Sequence, residues 1–467
     1  MTDKLIVAAV CIAALIILYC LRWQLLDLFL YILKSPVTYI RYRIGLGKLT
    51  VRPRFLTHGI VFGKAKYTRR LVSLKEEHEG HILCVGGTGT GKGASCIIPS
   101  LRHWQGTALV IEIAVGDIFD PVHEFKTRGG KEYPHARIEP DGENTAKYDV
   151  LHPVDAAAGN IGLQNVRLEQ LAHALIPKQA QNDTAVYYES AARTQLTASL
   201  SAYYHASEKM DFPDICQQIL RSTPDFLIQD ILSSGNEFAI SLATRFDGIR
   251  PETLAGVKET LDEHITLFAT NERIRAAIGR GGISPADLEN KSIYISIPES
   301  MLLVYRAFLA AFVSQTLHYF SDREYYKQPP ILLVLDELCS LKVDILQPLQ
   351  TLRKRNCKLL IGTQSLADFR GLWGDNASDQ INANFDYIAV LGSRDTKSCK
   401  VFSDMCGTYT GEYEKQLKYI EPHKFARLDK KMVLIHKRGY HVLRKNYHFK
   451  GFYPFISRIR RRFASSK

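Results

Sequence analysis

The stretch around residue 90 constrains this chain more than any other. A short apolar run, His81 to Val85, leads into Gly86, Gly87, Thr88, Gly89, Thr90, Gly91, Lys92 and Gly93, after which Ala94 to Ile98 starts a helical pattern. A strand that enters a Gly-x-x-x-x-Gly-Lys loop and leaves as a helix is a phosphate cradle. The glycines let consecutive backbone N–H groups curl around phosphate oxygens, the helix N-terminus adds partial positive charge, and Lys92 reaches the β- and γ-phosphates. The bland alternative is a glycine-rich turn between strand and helix; the strand context and the Gly-Lys spacing favour nucleotide binding. The general motif ends in Ser or Thr, whose hydroxyl binds Mg²⁺, and here Gly93 stands in that place.

A second motif lies far downstream. Ile331 to Leu335 reads as a buried strand ending in two carboxylates, Asp336 and Glu337, with Pro329 and Pro330 before it. Beside a phosphate loop, such a pair supplies a holder for the metal, Asp336, and a base that polarises the attacking water, Glu337. An apolar run ending in Asp-Glu is common by chance, so the phosphate loop and the acidic strand support each other. A third strand, Lys358 to Thr363, ends in Gln364 and Ser365, where a γ-phosphate sensor is expected; the alternative is a polar strand end. Arg353, Lys354 and Arg355 lie between these strands and read equally as an arginine finger or a solvated helix end.

The distance between the two motifs demands a large insertion. Residues 160–282 carry apolar positions at three- and four-residue steps, as in Tyr187 to Tyr204 and Ala255 to Leu267, with Pro213, Pro224 and Pro251 marking helix starts. Strand patterns surround this region: Gly106 to Glu112 before it, then Lys291 to Pro298, Tyr387 to Leu391 and Met432 to His436. Strands alternating with crossover helices predict a mostly parallel α/β sheet.

Leu5 to Leu21 is uncharged and almost wholly apolar. As a helix it spans roughly 25 Å, enough for a membrane anchor once Arg22 and Trp23 reach the interface. A signal peptide is the rival, but no small-x-small cleavage site follows. The many Arg and Lys residues downstream, against Lys4 upstream, place the body on the cytoplasmic side. Leu25 to Leu33 is too short to span alone and reads as a continuation or an interfacial piece.

The chain carries a net charge of +12. Much of the excess follows the apolar segment (Arg41, Arg43, Lys48, Arg52, Arg54), and more lies at Arg458, Arg460, Arg461 and Arg462. The first cluster is a membrane flank, so the whole excess is not assigned to DNA. The nine cysteines form no Cys-x-x-Cys pair, and reduced thiols in a cytosolic body account for them. His123, His135 and His152 show no metal-ligand spacing.

With these motifs in order, the chain resembles the coupling proteins of type IV secretion and conjugation. The resemblance rests on Gly91-Lys92-Gly93 followed by Ile97 to Leu101, and on Val334 to Leu341 through Gln364 to Gly374. Asn382 to Asn384 and Cys406 to Thr408 also fit. It covers about Phe62 to Tyr453. In that family glycine replaces the Ser/Thr of the phosphate loop, as Gly93 does here. The turn after Glu112 departs, because Ala114, Val115, Gly116 and Asp117 lack the usual lysine.

The resemblance implies a RecA-like P-loop ATPase domain with an inserted all-α domain and an N-terminal transmembrane helix. The expected division is 1–40 anchor, 41–159 and 283–455 nucleotide-binding domain, 160–282 all-α insertion and 456–467 basic tail. Implied cofactors are ATP and Mg²⁺. Implied partners are DNA (single-stranded, with a relaxase) and/or effector proteins, secretion-channel components, the bacterial inner membrane and five further copies in a homo-hexamer. The chain lacks the long acidic tail some members use for cargo, so the helical insertion is the better cargo candidate. Two alternatives stand beside this reading: a DNA translocase of the chromosome-segregation type or protein-only motor, and a nucleotide-binding docking adaptor without DNA pumping. Gly93 motivates the adaptor; Asp336 with Glu337 argues against it.

Overall fold

The computed structural model describes residues 45–449 apart from 66–67, 69, 144, 179–181, 207–208, 325–327, 344 and 411–415. The anchor expected at Leu5–Leu21 and the basic tail at 456–467 lie outside the described residues. In chain order the strands are β1 (Thr50–Arg52), β2 (Ile60–Lys64), β3 (Leu71–Leu74), β4 (Ile82–Gly86), β5 (Thr107–Ile113), β6 (His135–Ile138) and β7 (Ser292–Ile297). There follow β8 (Ile331–Leu335), β9 (Cys357–Thr363), β10 (Tyr387–Gly392), β11 (Thr408–Thr410), β12 (Gln416–Lys418), β13 (Lys431–His436) and β14 (Gly439–Arg444).

Twelve of these form one sheet in the order β1-β3-β2-β14-β13-β10-β4-β9-β8-β5-β7-β6. From β10 to β6 every pairing is parallel. From β13 outward the pairings are antiparallel. The parallel half follows from near-continuous apolar runs such as Ile331–Leu335, which suit strands covered on both faces. Alternate residues then point to opposite layers. Leu83, Val85, Leu109, Ile111, Leu333 and Leu335 pack on one side against the helices Ile161–Leu175 and Leu302–Ser321. Ile82, Cys84, Val110, Leu332 and Val334 pack on the other with Ile97, Leu101 and Trp104.

Between β6 and β7 the chain forms helices, among them Ile161–Leu175, Asp183–Tyr204, Phe212–Arg221, Pro224–Leu232 and Pro251–Thr270. Side-chain caps set several starts: Asn160, Asn182 and Thr223 each accept a backbone N–H from the first turn. Pro213, Pro224 and Pro251 occupy first-turn positions that need no donor. The entry and exit of this stretch are joined, since Asp149 N donates to Ile283 O at 2.9 Å and Tyr148 N to Ala277 O at 2.7 Å.

Among the described residues, Glu299–Ser321 is long and apolar enough to cross a membrane. It instead buries Tyr305, Phe308, Leu309 and Phe312 against the sheet, as a core helix does. Cys84, Cys96, Cys216 and Cys357 are free and buried.

Candidate functional site

Strand β4 delivers the phosphate loop to the C-terminal edge of the parallel sheet, where open α/β sheets place ligands. Within the loop Gly89 and Gly91 hold φ of 74° and 89°, values a side chain resists. Thr90 Oγ1 donates to Gly87 O at 2.7 Å and Ser95 Oγ to Gly91 O at 2.7 Å, bracing the turn. The helix opens with a wide turn over Gly93–Ile97 and tightens into α-helix over Ile98–His103.

Strand β9 lies between β4 and β8, so the glutamine end and the acidic end stand next to the loop. Lys92 Nζ donates to Gly86 O and to Glu337 Oε1, each at 3.0 Å. Glu337 sits in the left-handed region at φ 57°, a conformation costing about 1 kcal/mol or more for a residue with a side chain. Its N–H donates to Gly362 O at 3.2 Å, tying the end of β8 to β9.

Asp336, half-buried like Glu337, has one carboxylate oxygen wholly enclosed. Burial pushes its carboxyl up to about 6, Lys92 opposes the shift and Glu337 adds to it. Its Oδ1 is buried and accepts no hydrogen bond from a described group. A Cβ at Gly362 would overlap that same Oδ1, so β9 needs glycine there for the carboxylate to lie flat against it. A carboxylate whose buried oxygen accepts no hydrogen bond from a described group, at a strand end beside a phosphate loop, fits a divalent cation.

Gly87, Gly89, Gly91, Lys92, Asp336, Glu337 and exposed Gln364 line one cavity of about 940 Å³. Gln364 is anchored through its main chain, whose N–H donates to Asp368 Oδ2 at 3.2 Å. At Gly93 a Cβ would meet nothing within 4 Å, so packing does not demand glycine there.

Other acidic and basic groups take structural posts. Glu112, 1% exposed, accepts the N–H groups of Gly116, Ile118 and Phe119 at 3.0, 2.8 and 2.9 Å, holding the turn after β5. Arg353 precedes β9, at the sheet edge opposite the phosphate loop. There it pairs with Glu79 at 3.3 Å and Asp386 at 3.0 Å.

Sequence reasoning missed the chain beyond β14. Lys445 Nζ donates to Thr90 O at 2.9 Å, His448 N to Ala94 O at 2.9 Å, and Arg102 Nη1 to His448 O at 3.2 Å. These residues follow no motif; only tertiary folding brings them to the loop.

Loop, acidic strand and cavity on the parallel half of a mixed sheet, rather than the mostly parallel sheet expected from sequence, define a P-loop nucleotide-binding protein. The model of the family described as "Type IV secretory system Conjugative DNA transfer" matches residues 47–430, and the chain belongs to that family. Solved structures agree in fold. The unbound conjugative coupling protein TrwBdeltaN70 superposes with TM-score 0.62 at 18% identity, covering 80% of this chain and 85% of its own. TrwB in complex with the non-hydrolysable ATP analogue ADPNP gives 0.64 at 17% identity, covering 86% and 94%. VirB4 of Thermoanaerobacter pseudethanolicus gives 0.51 at 14%, covering 85% and 98%. No curated protein sequence matches the chain.

Proposed function

We propose that the chain is the ATP-hydrolysing motor of conjugative transfer, recruiting relaxase-bound DNA and/or protein substrates to a type IV secretion channel. The observation that carries the reading is the Lys92–Glu337 pair at 3.0 Å beside Asp336, whose buried Oδ1 accepts no hydrogen bond from a described group. In this reading the backbone of Gly86 to Gly93 cradles the phosphates and Lys92 leaves Glu337 to bind the β- and γ-phosphates. Asp336 would hold Mg²⁺, which would supply charge neutralisation at the phosphates. Glu337, released from Lys92, orients and deprotonates the attacking water, and Gln364 faces the γ-phosphate. The ADP–Mg²⁺ and ADPNP complexes of TrwB support ATP and Mg²⁺ as the cofactors.

The division stays as expected from sequence: nucleotide-binding parts at 41–159 and 283–455, and a helical unit at 160–282 that selects cargo. An anchor at Leu5–Leu21 holds the body at the inner membrane, and six copies form the working ring. These parts rest on the sequence pattern and on family membership.

The test is steady-state ATP hydrolysis by the purified full-length chain, with and without single- and double-stranded DNA, beside Lys92→Ala and Glu337→Gln. DNA-stimulated turnover lost in both variants supports the motor. Turnover indifferent to DNA moves the cargo to protein. A confirmed hexamer that binds ATP without hydrolysing it sinks the motor in favour of the docking adaptor.

A further inference from the structure

The cavity is longer than its catalytic end. Away from Lys92 and Asp336 it continues past Ile98, Arg102 and Pro121 to His448 and Phe449. Its volume of about 940 Å³ is in the range that encloses a whole small ligand.

The far wall is built by the segment after β14, and that segment is fastened to the phosphate loop itself. Lys445, 7% exposed, reaches Thr90 O, and the His448 main chain bonds both Ala94 and Arg102. The Tyr447 ring lies so close that a Cβ at Gly91 would come within 3.0 Å of it. Fixed in this way, Tyr447, His448 and Phe449 form an aromatic run, with ring centroids 5.3 Å (Tyr447–Phe449) and 5.4 Å (His448–Phe449) apart.

Two features say what this wall can receive. Arg102 gives its Nε and both terminal nitrogens to the carbonyls of Pro121 and His448, so its donors are turned to main chain. Burial and the neighbouring Arg102 and Arg54 push His448 down to about 4, leaving a neutral ring at ordinary pH. Phe449 meanwhile keeps 39% of its surface exposed at the cavity lip. The partly exposed Phe449 ring, backed by Tyr447 at an interplanar angle of 33° and by His448 at 82°, offers an aromatic face that suits a heterocyclic base.

We infer that the Lys445–Phe449 segment is the nucleobase wall of the nucleotide site, with Phe449 stacking on the base of a nucleoside triphosphate whose phosphates occupy the Gly86–Gly93 loop. This rests on the nucleotide reading above and adds the residues that hold the base. Lys445 is a positioning residue: it joins the wall to the loop, so that phosphate and base sites keep a fixed spacing.

The test compares equilibrium binding of ATP and of inorganic tripolyphosphate to the full-length chain and to Phe449→Ala and Phe449→Trp. Stacking of this kind predicts that Phe449→Ala weakens ATP by about tenfold or more. Tripolyphosphate binding stays unchanged, and Phe449→Trp restores ATP. The same tripolyphosphate affinity certifies that the variant's loop is folded. Equal ATP affinity in Phe449→Ala and the unaltered chain overturns the base wall and leaves the nucleotide reading standing, as does an equal loss for both ligands. Failure of the unaltered chain to bind either ligand overturns both.

Discussion

Lys92 Nζ lies 3.0 Å from Glu337 Oε1 while Asp336, the adjacent carboxylate on the same strand end, keeps its Oδ1 without a partner. In the proposed function this contact occupies the ammonium that would bind the phosphates and the carboxylate that would act on water. On that reading nucleotide entry would exchange one charge-assisted bond for several and free Glu337 in the same movement.

Glu337→Gln keeps the shape and removes the proposed base. Hydrolysis should fall by about 100-fold or more with ATP affinity nearly unchanged. Lys92→Ala should lose affinity first, because the phosphates lose their cation. Parallel binding and turnover measurements check both; equal loss of affinity in the two variants contradicts the assignment.

Asp336 makes the metal-free protein sensitive to pH. Its carboxyl stands near 6 in the fold against 3.8 unperturbed, so the folded state holds the proton more tightly. Stability contributed by the protonated carboxyl is complete below about 3.8, declines as pH rises towards 6, and is gone above it. A shift of roughly two units corresponds to about 3 kcal/mol. Asp336→Asn should therefore raise urea resistance in EDTA at pH 8 by about 2–3 kcal/mol, the gain shrinking towards pH 4. A gain independent of pH would refute the burial argument.

Gly362→Ala should disturb the site from the neighbouring strand. Its methyl group would overlap the Asp336 carboxylate, forcing β8 and β9 apart or turning the carboxylate away. A stability loss of about 2 kcal/mol with a larger proportional loss of turnover is expected, read by urea denaturation and ATP hydrolysis.

Glu112 lines the same cavity but holds backbone. Glu112→Ala strands two buried N–H groups and one partly buried one, and a destabilisation of about 2–3 kcal/mol or more is expected. Glu112→Gln should retain ATP turnover per folded molecule, measured beside a circular-dichroism melt. A folded, stable Glu112→Gln that has lost hydrolysis would move this residue into the chemistry.

Gly93→Ser meets open space, so stability should change by no more than about 0.5 kcal/mol. The added hydroxyl is expected to lower the Mg²⁺ concentration at which ATP hydrolysis saturates, as a magnesium titration would show.

Local pattern carried much of the fold. The run Ile331–Leu335 is apolar throughout, and Cys357–Thr363 nearly so apart from Lys358 and Thr363, because both sheet faces are covered, and that is visible in the residues alone. The antiparallel wing was not. β1, β2, β3 and β14 are short or of mixed polarity, and the first three pair with one another and with a strand hundreds of positions away. At the site, Lys92, Asp336, Glu337 and Gln364 announce themselves by motif, whereas Lys445 and His448 act through Thr90 and Ala94 and leave no periodic mark.

The sequence by itself determined the phosphate loop, because Gly-x-x-x-x-Gly-Lys between strand and helix has a local physical meaning that needs no partner. It also determined which strand ends carry carboxylate and amide. Tertiary structure alone decided that β9 inserts between β4 and β8, since strand order depends on crossovers that local periodicity does not encode. It decided, for the same reason, that Gly362 makes room for Asp336 and that the chain beyond β14 returns to close the far side of the cavity.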